Sequence, residues 1–294
     1  YTQSMRLVIT SDLHYRPAHD AVHTRFAAQV AALQPDCFVI AGDAGATPPH
    51  FRAALRCFAH LPCPRLVLPG NHDLYVHPQK AHSTPSGTPT VTQAAPAVDS
   101  RALWLELLPR IANEEGYGWL ETQALVVGNT GICGNMAWYD YSSAPPHLNM
   151  SATQLRSFKA LVNHDADYIR WPWSDRAVAR ALQRRLAHQI YQLQANPDVA
   201  RIVVVTHMPP FAEPIPVHPE SEYWSLISAY LGNVSLGNWL RTQAKVAYVV
   251  SGHLHRGSSW QITGDYGPVH FQVIDSRAGA PGYVLLDLPD AVAE

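Results

Sequence analysis

The sequence predicts an α/β fold in which buried strands form parallel or mixed sheets covered by helices. Short apolar, largely β-branched runs recur at Leu7-Val8-Ile9, Cys37-Phe38-Val39-Ile40, Arg65-Leu66-Val67-Leu68, Ile202-Val203-Val204-Val205 and Ala247-Tyr248-Val249-Val250. Runs of that length and composition, bounded by Gly or Pro, read as buried strands. Strands buried on both faces belong to sheets with helices outside. A polar cluster follows each run: Asp12-Leu13-His14, Gly42-Asp43, Gly70-Asn71-His72-Asp73, His207 and Gly252-His253-Leu254-His255. Open α/β sheets place their ligands at such carboxyl ends of strands.

The elements follow in order. After the first strand, Asp20 to Leu33 carries Val22, Phe26, Val30 and Leu33 at helical spacing. A second strand leads to Asp43. Pro48 and Pro49 then open a helix through Phe51, Leu55 and Phe58, since proline suits a first helical turn. A third strand leads to Asn71, which completes two successive βαβ units. Residues 76 to 100 are rich in Pro, Thr, Ser and Ala and show no period, which suggests a lid-like or binding insertion. A helix is expected from Arg101 to Asn113, then short strands at Ala124 to Val127 and Gly131 to Met136. Ser174 to Leu193 has Val178, Leu182, Leu186 and Ile190 on one face, with Asn196-Pro197 beyond it. A short helix is expected at Ser235 to Arg241. The tail from Ser258 to Leu288 reads as strands with glycine turns.

Bulk properties narrow the classes. The chain has 294 residues and an apolar content of 47%, enough for a full core. Its net charge of -2 argues against general affinity for a nucleic-acid backbone. Cys37, Cys57, Cys63 and Cys133 form no Cys-x-x-Cys pair and read as free thiols in a reducing compartment. No apolar run is long enough to span a bilayer and no secretory leader is evident, so a cytoplasmic location is expected. Residues 1–4 precede Met5 and are expected to be an added remnant. Residues 5–294 are expected to form one domain with the insertion at about 76–100.

The polar clusters combine carboxylates, an amide and imidazoles from distant parts of the chain. Hard oxygens with neutral imidazoles suit manganese first, with iron or zinc also accommodated. Two such cations about 3.5–4 Å apart can clamp the attacking and leaving oxygens of a phosphoryl transfer.

The ordered set Asp-x-His, Gly-Asp, Gly-Asn-His-Asp, His and Gly-His-x-His resembles the calcineurin-like metallophosphoesterases, over residues 7 to 256. The resemblance, with the strand runs and the antiparallel-looking tail, implies a four-layer αββα sandwich of two mixed sheets flanked by helices. It implies that Asp12, His14, Asp43 and His255 hold one metal. Asp43, Asn71, His207 and His253 would hold the other, with Asp43 bridging. A hydroxide held between the metals would attack phosphorus, and His72, with Asp73 orienting its ring, would protonate the leaving oxygen. A structural hydrogen bond is the alternative role for His72.

Substrate contacts are less determined. Arg16 and Arg256 follow the metal motifs and could grip a phosphate oxygen, or could be solvated surface arginines. Trp138 and Tyr141 lie in a box, Trp138 to Ser142, similar to one in some bacterial members. They could flank a planar leaving group or sit at the edge of the core. The substrate expected is a small, nucleotide-like phosphodiester or monoester. A nuclease is the alternative, because Gly-Asn-His-Asp also resembles the nuclease subunits of double-strand-break repair. Against it, the residues after the last motif are too few for a DNA-holding domain. A non-catalytic scaffold on the same fold would be expected to have damaged ligand positions.

Overall fold

The structure, a computed structural model, describes residues 4–76 and 98–289. Most of the insertion expected at 76–100 lies outside the described residues. Two mixed sheets make up the centre. The first contains β1 (Ser4–Thr10), β2 (Cys37–Ala41), β3 (Arg65–Leu68), β4 (Gly118–Trp119) and, at its far edge, the last strand of the chain. The second contains β5 (Leu125–Val127), β6 (Thr130–Asn135), β7 (Arg201–Thr206), β8 (Val246–Ser251), β9 (Ser258–Gly264) and β10 (Gly267–Val273). The final strand, β11 (Tyr283–Pro289), leaves that sheet and pairs antiparallel with β1. The tail therefore ties the two sheets together.

The pairs β1–β2, β2–β3, β6–β7 and β7–β8 are parallel, as the βαβ reading requires. Side-chain alternation decides which residues meet. Leu7, Ile9, Val39, Leu66 and Leu68 face Ile132, Val203, Val205 and Val250 between the sheets. The intervening Val8, Phe38 and Ile40 pack outward with Phe26, Val30, Phe51 and Leu55 of the first two helices. On the other side, Cys133, Ile202 and Val204 belong with Val178, Leu182, Leu186 and Ile190 of the helix Asp175–Ala195. Four layers result, and the expected αββα sandwich is observed.

Local chemistry sets the helix ends. The Thr47 side chain accepts from the His50 N–H to start Pro48–Cys57. Ser174 caps Asp175–Ala195 in the same way. The helix expected at 101–113 is observed as Ser100–Ala102, a wider π segment Leu103–Leu107 and Leu108–Glu114. The helix Ala152–Val162 was not anticipated, although a capping box of Ser151 and Gln154 marks its start.

Candidate metal centre

The carboxyl ends of β1, β2, β3, β7 and β8 converge at one edge of the sandwich. Each motif turns sharply there. Asp12, His14, Asp43, His253 and His255 all have positive φ, between 42° and 72°. L-residues seldom adopt that region, and its use clusters at functional sites. The glycines of the motifs make room. Gly42 has φ 88°, and a Cβ there would lie 2.5 Å from His207 Nδ1. A Cβ at Gly70 would overlap the Asp43 carboxylate.

The candidate ligands meet. Asp12, His14 and His255 form one group of donor atoms, Asp12, Asp43 and His207 another, and His14, Asp43 and His72 a third, each within 4.8 Å. His14 Nε2 faces His255 Nε2 at 3.2 Å, and Asp12 Oδ1 lies 3.2 Å from His255 Nε2. Asp43 Oδ2 lies 3.7 Å from His14 Nε2 and 3.5 Å from His207 Nε2, between the two halves of the cluster. Asn71 Oδ1 lies 3.1 Å from His207 Nε2. The His253 ring stands 5.1 Å from that of His207.

Two buried atoms are placed in a way that fits cations. His253 Nε2 makes no hydrogen bond among the described residues, and Asp12 Oδ1 has the His255 imidazole beside it. His207 Nδ1 must donate to the Ala41 carbonyl at 3.0 Å, which turns Nε2 toward Asn71 and Asp43. The remaining oxygens of the carboxylates are anchored. Asp12 Oδ2 accepts from His253 N, and Asp43 Oδ1 accepts from His72 N, each at 2.9 Å.

Electrostatics agree. Burial alone would raise the Asp43 carboxyl, but His207, His72 and His14 together hold it well below the ordinary carboxylate range. Burial opposes charge on His207, yet Asp43 and Asp12 raise it to about 9. A proton there occupies ground a divalent cation would claim. Burial, reinforced by His207, lowers His253 to about 3 and keeps it neutral, as a ligand must be.

Two expectations are corrected. Asp73 does not orient the His72 ring: its oxygens accept from Gly45 N at 2.9 Å and Gly70 N at 2.8 Å, which pins the turn. Burial and the nearby Asp43 raise its carboxyl to about 7. The His72 ring instead lies 4.9 Å from that of His14 and 4.5 Å from that of Tyr75. Trp138 and Tyr141 do not line the site. They are 0% and 6% exposed, and both donate to Asp175, through Trp138 Nε1 at 2.8 Å and Tyr141 OH at 2.5 Å. Their polar handles are used up by the core. Arg16 and Arg256 are both exposed, and Arg256 shares a pocket wall with His253.

Sequence reasoning missed Asp165. Its Oδ1 accepts from Asn71 Nδ2 at 2.9 Å and from Tyr75 OH at 2.8 Å. It lies in the four-residue helix Asp165–Tyr168, far from any motif, and no local pattern marks it.

A sandwich of two mixed sheets carrying this cluster at one edge defines a metallohydrolase of phosphoric esters. The profile of the calcineurin-like phosphoesterase family matches residues 5–257, and the chain belongs to that family. Its fold is similar to that of a phosphopantetheinyl hydrolase from Mycobacterium tuberculosis, with TM-score 0.69, 19% identity and 100% of each chain covered. It is also similar to the protein TT1561 of Thermus thermophilus, with TM-score 0.52, 13% identity and 97% and 95% of the two chains covered. A dimetal phosphatase from Danio rerio gives TM-score 0.52 at 12% identity, covering 97% of this chain and 93% of the other. No curated protein matches the sequence. Among the described residues, no helix is long and apolar enough to cross a membrane.

Proposed function

We propose that the chain hydrolyses a phosphodiester or phosphomonoester of a small, nucleotide-like molecule with two divalent cations. Asp12, His14, Asp43 and His255 would hold one; Asp43, Asn71, His207 and His253 would hold the other. Manganese suits these ligands first. The observation that carries the reading is the meeting of these donors around two buried atoms, His253 Nε2, which has no hydrogen-bond partner among the described residues, and Asp12 Oδ1, which faces His255. When bound, the cations lower the pKa of water toward neutrality and polarise the phosphoryl oxygens.

The chain's own residues do the rest. Asp43 supplies the negative charge shared by the two positions. The Asn71 amide oxygen is presented beside His207. His72 sits against His14 with its backbone tied to Asp43, so its ring can deliver a proton to the leaving oxygen without being a required ligand. Arg256 steers the phosphate.

The test is hydrolysis with added manganese, iron or zinc over phosphomonoesters, cyclic nucleotides, dinucleotides, a phosphopantetheinyl ester and single-stranded DNA. The phosphopantetheinyl ester joins the panel because of the Mycobacterium tuberculosis neighbour. Cleavage of a small ester is the expected result. Cleavage of DNA alone would favour a nuclease, and no cleavage with any metal would overturn the reading.

A further inference from the structure

We propose that a pocket of about 600 Å³ beside His253 receives an uncharged, apolar arm of the substrate. This rests on the phosphoesterase reading and names its substrate class more narrowly. Ile215, Ile227, Leu231, Leu254 and Trp260 supply the apolar part of the walls, to which His218 and Ser258 add polar groups. His253, a candidate ligand, belongs to the same lining, so the pocket adjoins the site. Its volume is that of a site for a drug-sized molecule and far exceeds the need of a phosphoryl group. A sugar phosphate would leave these walls wet. Glu213, exposed at the rim, disfavours a second anionic group there. Arg256, on the same wall, is placed for the first.

Calorimetric titration of the manganese-loaded protein with methyl-, butyl- and octylphosphonate tests this. The phosphonate tracks the cations and the alkyl chain tracks the pocket. Kd is expected to fall at least about tenfold from methyl to octyl, since each buried methylene can contribute up to roughly fourfold. In Trp260→Ala and, separately, Leu231→Ser, the gradient should flatten while methylphosphonate binds as before. A Kd independent of chain length would overturn the proposal. If the chain takes up no cation at all, the functional reading fails first and the pocket assignment with it.

A different observation carries a second inference. We infer that Asp165 is a positioning residue that fixes which end of the Asn71 amide faces the cation. A carboxylate only accepts, so Asp165 Oδ1 demands the NH2 of Asn71 at 2.9 Å, and the amide oxygen must point away. It points to His207 Nε2, 3.1 Å distant. Tyr75 OH also donates to Asp165, at 2.8 Å, and Asp165 is 2% exposed, which holds the carboxylate still. Without it the amide can turn its NH2 toward the cation, where it cannot ligate.

A charge-pattern swap decides the matter, with manganese counted by elemental analysis and affinity read by calorimetry. Asp165→Leu, which removes both acceptor oxygens, is expected to weaken one of the two cation sites about 10–100-fold, the usual cost of losing a group that orients a ligand. Asn71→Asp should do at least as badly, because two carboxylates then face each other. The double variant Asn71→Asp/Asp165→Asn restores an NH2 opposite a carboxylate and should recover most of the lost affinity. Two sites of undiminished affinity in Asp165→Leu, or a double variant no better than Asn71→Asp, would overturn the inference. Should Asp165→Leu fail to fold, the double variant decides alone: folded with both cations supports it, unfolded or metal-poor refutes it. Wild-type protein that takes up no cation would instead refute the functional reading.

Discussion

Two buried carboxylates, Asp43 and Asp175, both sit among aromatic or imidazole rings, yet their surroundings end differently. Asp175 is saturated. It accepts from Trp138 Nε1 and Lys159 Nζ at 2.8 Å each and from Tyr141 OH at 2.5 Å. Asp43 has one oxygen anchored on His72 N, while the other looks at His14 and His207 from 3.7 and 3.5 Å. Every donor around Asp175 is a fixed part of the fold. Around the other Asp43 oxygen the neighbours are imidazoles, which become acceptors on losing a proton. A closed shell marks a carboxylate that builds the core, and an open one suits the cation-binding role proposed for Asp43.

The contrast can be broken by exchanging the consequences. Asp43→Asn should cut turnover by about 10⁴-fold or more and lower metal content, because the shared charge is lost. Full manganese content and full activity in that variant would erase the distinction. His72→Ala should retain both cations and lose roughly 10²–10⁴-fold with poor leaving groups such as a sugar hydroxyl. The loss should be small for nitrophenolate. Equal losses for both would leave His72 with a phosphate-positioning role only.

On the saturated side, Asp175→Asn should cost about 3–5 kcal/mol in denaturant unfolding, since Lys159 keeps a mostly buried, unpaired charge. Activity per folded molecule should hold. A large kinetic defect with unchanged stability would reverse the assignment.

Glu121 lies between the two cases. Met136 N donates to it at 3.0 Å and Trp104 Nε1 also donates, but burial still raises its carboxyl from 4.5 to about 7. A raised carboxyl holds its proton in the folded state. Its contribution is complete below about pH 4.5 and is lost as pH rises through about 7, on the order of 3 kcal/mol. Thermal melts of wild type against Glu121→Gln from pH 4 to 8 should show that slope, and a flat difference would mean that the carboxylate stays ionised throughout. The smallest effect is expected for Tyr141→Phe, about 1 kcal/mol, because Asp175 keeps its other donors.

How much of this could be read from the sequence follows from how local the cause is. The strand runs were legible because buried parallel strands need uninterrupted apolar stretches, and β1, β2, β3, β7 and β8 all lie on them. The candidate ligand motifs were legible because Gly42 and Gly70 must be glycine to admit His207 and Asp43. Trp138 and Tyr141 were ambiguous because an indole or a phenol can turn its polar end toward solvent or toward a buried acid. Only the placement of Asp175, on a distant helix, decides. Asp165 was invisible for a related reason. Its value depends on a short irregular segment folding back over Asn71, and nothing in residues 163–168 declares where they go. Asp73 was misassigned because adjacency in sequence suggested a ring partner, whereas a tight turn brings backbone amides closer than the neighbouring side chain.

The left-handed turns at Asp12, His14, Asp43, His253 and His255 have an evolutionary corollary. Glycine would relieve each of them, so at every one of these positions a mutation toward a calmer backbone is open to drift. Each such step would also delete a side chain from the cluster. A lineage selected only for durability would therefore shed these residues first and keep its sandwich intact.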